Sequence, residues 1–395
     1  MSDTSTARPR PLAGVRVLDF TIMMAGPYAT RYLADLGAEV IKVEASEGDY
    51  IRSRAPLRDG HSAYFSHLNA GKQSIVLDLK NPVALQAVKA LVAECDVVVE
   101  NFRPGVMKRL GLDYETLAAI NPRLVMCSIS GFGQTGPAAL RPAYAQIVQA
   151  GSGYELAFAR YQGETAQPAN TAIFIADVLG GTYAFAGILA ALNQRHLTGR
   201  GQHVDTTLIE GMLNLMPYEV QEAQFPEPKR RPVYPPFPTR DGWLMVAAVS
   251  PRNFEGLLDA IGVDGWRADP TMMNDAARQK NWSAVMDRVR AWTAERDTAE
   301  CERIIGGAGV PVTPYLTVRE ALDEAQLVHR ESLARTRDGA GELLVPNLPF
   351  KLSDGEVRVG ARTPELGADT DAVLARVLGW SEAQIAAVKA PAADA

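Results

Sequence analysis

The residue with the sharpest chemical profile is Asp177. It is the only charged side chain between Thr171 and Asn193, and it sits between the apolar run Ala172–Ala176 and a longer apolar stretch of helical character. An aspartate where a helix begins is a preferred N-cap. The same position stabilises its anion by about 0.3–1 kcal/mol. A carboxylate held between apolar walls and partly stripped of water can attack an activated acyl carbon and form a covalent intermediate. A cap can also be a nucleophile, so the two readings are compatible. Gly180 and Gly181 follow closely and would let a bulky substrate approach.

A second constellation is Glu100-Asn101-Phe102-Arg103-Pro104-Gly105, followed by Lys108, Arg109 and Gly111. It stands just after a short β-type run, where open α/β sheets bind their ligands. An amide, an aromatic ring and several cations suit a base stacked on the ring with phosphates near the arginines. The bland alternative is a strand-end turn leading into a solvated helix. Arg52, Arg54, Arg58 and Lys72 form another group that could face phosphate. The spacing Gly131-Gly133-Gly136 is a literal GxGxxG. Pro137 follows at once with no helix start, so the context that a dinucleotide fingerprint requires is missing. The five histidines show no metal-ligand spacing, and Cys95, Cys127 and Cys301 are too scattered for a disulfide framework or a metal knuckle. No metal site is expected.

These groups need a scaffold. The first third alternates short strands with helices: Val15–Phe20, a helix Tyr28–Leu36, Glu39–Glu44, Ser74–Leu79, a helix Pro82–Glu94, Val97–Glu100 and Leu124–Ser130. That order predicts a parallel sheet covered on both faces. A long helix follows Asp177 to about Leu197, then a strand Gln202–Leu208. Phe225–Pro238 carries six prolines and three basic residues and reads as an extended linker. Beyond it lie a strand Trp243–Val249, helices Asn253–Ile261 and Ala276–Glu295, and two capping boxes, Asp297 with Glu300 and Thr317 with Glu320. The last clear helix is Asp371–Leu378. The expected organisation is a large α/β domain from residues 1–224, a linker 225–240, a small α/β domain 241–316, a linker 317–345, and a segment 346–395 that completes the large domain.

The chain has 395 residues, 40 basic against 46 acidic, for a net charge of −6. An acidic whole disfavours nucleic acid as a partner, so an anionic ligand would need cations gathered locally. The first eleven residues lack the apolar core of a secretion signal. The uninterrupted apolar part of the long helix, Val178–Leu192, is shorter than the roughly 20 residues of a membrane span. A cytoplasmic protein with no membrane partner is expected.

Taken in order, PLAGVRVLDFTIMMAGP (Pro11–Pro27), LADLGAEVIKVE, SIVLDLK, VVVENFRPGVMKRLG, SISGFGQTGP, IADVLGG, ILAALNQRHLTGRGQHVD and PELGADTD cover nearly the whole chain. Each is weak alone, but the ordered set is specific. The sequence resembles the class III coenzyme A transferases, relatives of formyl-CoA transferase and carnitine-CoA transferase. The resemblance implies a Rossmann-like large domain built from both chain ends, a smaller middle domain and an interlocked homodimer. It implies transfer of coenzyme A from an acyl-CoA thioester to a small carboxylic acid. By position Asp177 matches the catalytic aspartate, which would pass through aspartyl mixed-anhydride and aspartyl-CoA thioester intermediates. Coenzyme A is then a substrate, and no metal or redox cofactor is needed.

For coenzyme A, Asn101, Phe102 and Arg109 match family contacts, and Leu77 matches an adenine-pocket position. Family members often carry a cation directly after the KVE strand; this chain has Ala45, which leaves Arg103 or Lys72 to hold that phosphate. Met24, preceded by Met23, replaces a glutamine frequent in formyl-CoA transferases and implies a roomier acyl pocket. The glycine-rich run that closes over that enzyme's site is missing, which argues against oxalate with formyl-CoA. The α-methylacyl-CoA racemases are a related alternative, but Tyr144 stands where their histidine would be, and a tyrosine is a poor base at neutral pH. A catalytically silent CoA-binding subunit is the other alternative, against which Asp177 speaks. Arginines near the mouth would suit an acceptor with a second anionic group, with succinyl-CoA as donor.

Overall fold

The computed structural model describes residues 8–163, 167–226, 233–274, 278 and 280–389. They form two compact units, residues 1–224 with 328–395 and residues 225–327.

The larger unit is α/β. Its elements are β1 (Arg16–Asp19), α1 (Ala25–Asp35), β2 (Glu39–Glu44), the small hairpin β3 (Leu57–Arg58) and β4 (His61–Ser62), α2 (Ala63–Asn69), β5 (Gln73–Val76), α3 (Pro82–Ala93), β6 (Val97–Glu100), α4 (Val106–Arg109), α5 (Tyr114–Ile120), β7 (Val125–Ser130), α6 (Ala145–Gly151), α7 (Tyr154–Tyr161), α8 (Ile175–Thr198), β8 (His203–Thr207), α9 (Leu208–Leu215) and α10 (Pro217–Gln224). Six strands pair in the order β5-β2-β1-β6-β7-β8, every pair parallel. The chain winds one way from β1 through β2 to β5 and the other way from β6 to β8. The sheet therefore reverses between β1 and β6, and the crevice beyond their carboxyl ends is where such folds bind ligands.

Side-chain alternation divides the core. Val17, Val97 and Val99 face one cluster with α1 and α8, while Leu18 and Val98 face the other with α3. Strands buried on both faces read as continuous apolar runs, as a parallel sheet requires. Helix α1 begins at Ala25, three residues before the expected start, because Pro27 falls in the first turn, where its missing N–H goes unused. Helix α8 has 24 residues and is long and apolar enough to cross a membrane by length and composition alone. Here it lies between α1, β7 and α9, with Ala184, Ile188 and Ala191 in the core.

The chain's last segment returns to this unit. Val373, Leu374, Ile385 and Val388, from helices Thr370–Leu378 and Glu382–Lys389, join the α3 face of the core. Edge strand β5 is covered by the same segment: Ser74 N–H donates to Asp369 Oδ2 at 2.9 Å, and Asp369 N–H donates to Ser74 O at 3.0 Å.

The smaller unit holds an antiparallel sheet in the order β11-β10-β9, from β9 (Phe237–Pro238), β10 (Trp243–Val246) and β11 (Val312–Pro314). Helices Pro251–Ile261, Trp282–Ala294 and Thr298–Gly307 pack on it around Phe254, Leu257, Val289 and Ile305. The expected linker 225–240 lies partly outside the described residues, and its end is strand β9. The expected second linker 317–345 contains β12 (Leu333–Asp338) and most of β13 (Gly341–Pro346), an antiparallel pair within the larger unit. The capping box of Thr317 and Glu320 forms. That of Asp297 and Glu300 does not, because the Asp297 carboxylate turns to Arg240 at 2.8 Å.

Candidate active site

The two loops at the switch point are tied together. After β1 the chain runs through Thr21, Ile22, Met23 and Met24 into α1. Asn101, the first residue past β6, grips Ile22 on both sides of its backbone. Its Oδ1 accepts from Ile22 N–H at 2.9 Å, and its Nδ2 donates to Ile22 O at 2.7 Å. Asp19 holds the same loop from β1, accepting from Thr21 N–H at 2.9 Å and from the Thr21 hydroxyl at 2.5 Å. Met23 has a φ of 65°, left-handed for a residue with a side chain. Met23, Met24, Tyr28 and Tyr64 pack on a small cluster of Ile51, Phe65 and Leu68.

Helix α8 brings Asp177 to this cluster. Gly181, one turn further along, lies so close to α1 that a Cβ there would stand 2.6 Å from Ala25 O. The helix start is fixed by buried Gln149, whose Nε2 donates to Thr171 O at 3.0 Å and whose Oε1 accepts from Ala176 N–H at 3.4 Å. The N-cap is Phe174, whose own side chain makes no cap bond. Asp177 is thus inside the first turn and is not the N-cap. Its carboxyl is partly buried and has no hydrogen-bond or ion-pair partner among the described residues. Burial lifts its pKa to about 7. Tyr64 lies in the field of this carboxylate. Burial first, then Asp177 and Asp49, push its phenol up to about 12, so it stays a neutral O–H donor at physiological pH. Tyr64 carried no signal in the sequence. It sits on α2, and only the sheet brings it to α8.

The expected coenzyme A contacts divide. Asn101 and half-buried Phe102 flank the switch point, with Phe102 packed on the α3 face of the core. Its N–H donates to Glu100 Oε2 at 2.8 Å, and burial raises Glu100 to about 7. Arg103 and Arg109 are exposed and form no ion pair among the described residues. The Leu77 side chain is sealed in the core, which leaves only its backbone for an adenine. Lys72 is not a phosphate ligand in this structure. Its ammonium is fully buried, 3.0 Å from Asp19 Oδ2, and also donates to Thr30 Oγ1 at 2.7 Å and Asn69 Oδ1 at 2.9 Å. Arg52 pairs with Glu44 at 2.6 Å and Arg58 with Asp338 at 2.7 Å, while exposed Arg54 stacks on Tyr50.

The glycines also serve a different purpose from the one expected. A Cβ on Gly180 would stand 2.2 Å from Leu208 Cδ2, and Gly181 abuts Ala25 O and Tyr28. Both are buried in packing and leave no room for substrate. Tyr144 is exposed at the N-cap of α6, and its ring has no hydrogen-bond or ring partner among the described residues. The glycine loop Gly131–Gly136 is followed by no helix before Ala145. Gly133 N–H instead donates to Ser130 Oγ, and Gln134 N–H to Asp205. Among the described residues no three His, Cys, Asp or Glu side chains cluster as a metal site.

The chemistry on offer is that of a desolvated, unpaired carboxylate. Tyr64 lies in its field and packs in one cluster with Met23 and Met24. Comparison with known proteins gives the family. The family described as CoA-transferase family III matches residues 12–370. An acetyl-CoA:oxalate CoA-transferase from Acetobacter aceti is 37% identical, over 93% of this chain and 97% of its own. A succinyl-CoA–D-citramalate CoA-transferase from Chloroflexus aurantiacus is 34% identical, over 98% and 99%. A succinyl-CoA:glutarate CoA-transferase from Mus musculus is 32% identical, over 95% and 88%. Among solved structures, a CAIB/BAIF family protein from Brucella suis superposes with a TM-score of 0.82 at 32% identity, covering 94% of this chain and 100% of its own. Rv3272 from Mycobacterium tuberculosis reaches 0.83 at 27% identity, over 92% and 99%.

Proposed function

The chain belongs to CoA-transferase family III, and from that premise we propose that it moves coenzyme A from succinyl-CoA to a small dicarboxylic acid, with Asp177 as the covalent nucleophile. The observation that carries this reading is the Asp177 carboxylate itself, partly buried at a helix start with no ion-pair partner among the described residues. Each of the three enzymes named above transfers CoA to a diacid by its name, which supports the acceptor class.

The cycle balances. The Asp177 carboxylate attacks the thioester carbonyl and expels CoA thiolate, giving a mixed anhydride. The thiolate attacks the aspartyl carbonyl, releasing the donor acid and leaving an aspartyl-CoA thioester. The acceptor carboxylate attacks that carbonyl and again expels thiolate. The thiolate then takes the new acyl group and frees Asp177. Each step exchanges one acyl bond for another, with no net oxidation. An oxyanion beside Asp177 would meet the Tyr64 phenol and the uncapped first turn of α1, donors of the kind that dominate acyl transfer. Asn101, Phe102, Arg103 and Arg109 would hold the nucleotide end. A diacid's second carboxylate would find Arg54 or the arginines of the crevice.

The anhydride provides the test. Incubation with succinyl-CoA and hydroxylamine should inactivate the enzyme, and peptide mass spectrometry should place the hydroxamate on Asp177. Full activity after that treatment, with no label on the Asp177 peptide, would overturn the reading.

A homodimer belongs to the same proposal. Tyr144, Ile147, Leu156, Ile173, Tyr183 and Leu213 are exposed on or beside helices α6 to α9, which pack side by side. An apolar surface of that extent marks an interaction site. Sedimentation equilibrium should give twice the mass of the chain, and a monomer at micromolar concentration would remove this part.

A further inference from the structure

Lys42 and Asp49 are both fully buried, and their side chains meet at 3.0 Å. Asp49 Oδ1 caps the turn Tyr50–Ser53 by accepting from Ile51 N–H at 3.2 Å, and the pair also reaches the loop after β1. Lys42 Nζ donates to Thr21 O at 2.5 Å, and Asp49 Oδ1 accepts from Met23 N–H at 3.2 Å. With Asn101 on Ile22, every residue from Thr21 to Met23 is fixed by a side chain from another strand or loop. The last residue of this stretch is the left-handed Met23. That conformation is costly for a residue with a side chain and persists only where the surroundings over-determine it. Stability alone does not account for the pair, since a buried ion pair is often no more stabilising than well-packed apolar residues of similar volume. Two of its bonds, to Thr21 O and Met23 N–H, hold the loop whose Met23 packs in one cluster with Met24 and Tyr64, and Tyr64 lies in the field of Asp177.

We propose that Lys42 and Asp49 are positioning residues. They hold Met23 in its left-handed conformation, and through it they set which carboxylic acid fits beside Asp177. This rests on the transferase reading for the identity of the acid, but not for the clamp. Neither residue touches substrate. With the clamp intact the Met23 side chain occupies one place in the pocket wall and selects for a compact acceptor. Without it the backbone relaxes to an ordinary φ and the wall moves.

Two variants test the idea. Lys42→Met combined with Asp49→Val removes the clamp without stranding a buried charge. Met23→Gly keeps the clamp, removes the side chain and needs no support for its φ. In both, the preference for glutarate over benzoate as acceptor from succinyl-CoA, measured as the ratio of kcat/KM values, should fall about tenfold or more. In the double variant, whose two positions touch no substrate, the change should lie in the KM for the acid with kcat within about threefold, a split that a merely structural defect would not produce. A second readout needs no catalysis. With methyl-13C methionine, the Met23 signal, assigned by its absence in Met23→Gly, should shift in the double variant relative to the wild-type protein. An unchanged Met23 signal or an unchanged acid preference in the double variant overturns the proposal. If the double variant does not fold, an unchanged acid preference in Met23→Gly overturns it equally. A wild-type protein that is not trapped by hydroxylamine sinks the transferase reading instead, and the methyl signal still decides the clamp.

Discussion

Asp177→Asn should abolish CoA transfer, by at least about 10⁴-fold in kcat, with CoA thioester binding retained, because the amide cannot form the anhydride on which both half-reactions depend. A variant that keeps exchange within tenfold of wild type would remove Asp177 from the mechanism. The same substitution should stabilise the fold in alkaline solution. Burial raises the Asp177 carboxyl from 3.8 to about 7. Between those values the folded chain binds more protons than the unfolded chain, so stability falls as pH rises through that window. Asparagine has no such slope. The variant's excess stability should be absent near pH 4 and reach its full size above pH 7, at no more than about 4 kcal/mol. Urea melts at the two pH values measure it, and an excess that grows toward acid would contradict the assignment. In wild type, the first half-reaction should gain rate as pH rises through about 7, as the nucleophile ionises.

Lys72→Met should cost about 3–5 kcal/mol of stability, a large part of what an ordinary domain has, because it leaves Asp19 buried with its charge opposed only by Lys42. Against the burial that would raise it, Lys72 and Lys42 hold the Asp19 carboxyl below the usual range. Chemical denaturation should show the loss directly. The molecules that remain folded should bind succinyl-CoA as wild type does, whereas Arg109→Ala should raise its KM without touching stability. If Lys72→Met weakened coenzyme A binding while leaving the melt unchanged, Lys72 would be a phosphate ligand after all.

That contrast shows where the sequence was legible. The alternation of apolar runs and helical patterns gave the six parallel strands and both core faces, because periodicity is a local property. The position of Asp177 was readable for the same reason: a lone charge in a long apolar stretch must sit at an end or serve a purpose. Burial of charge is not local. Lys72 follows a glycine in a polar stretch, and nothing near it announces that Asp19 waits 53 positions earlier. Gly180 and Gly181 looked like room for a ligand, yet the room is taken by Leu208 and by helix α1. Tyr64 and the Lys42–Asp49 clamp were invisible because each depends on the crossing of β1, β2 and β6. Strand β2 reads EVIKVE, and nothing beside its lysine in the sequence shows that the sheet seats it between β5 and β1.

The covering of β5 by the chain's last segment has a consequence for the order of synthesis. Ser74 and its partner Asp369 are 295 positions apart. All six strands leave the ribosome long before the residues that cover their outer edge, and the whole small unit is made in between. For that interval the nascent sheet presents an unpaired edge, the kind of surface that invites pairing with another chain. Closure of the large unit is therefore a late, long-range event, slow by its topology. A newly made chain needs protection at β5 until its final helices arrive.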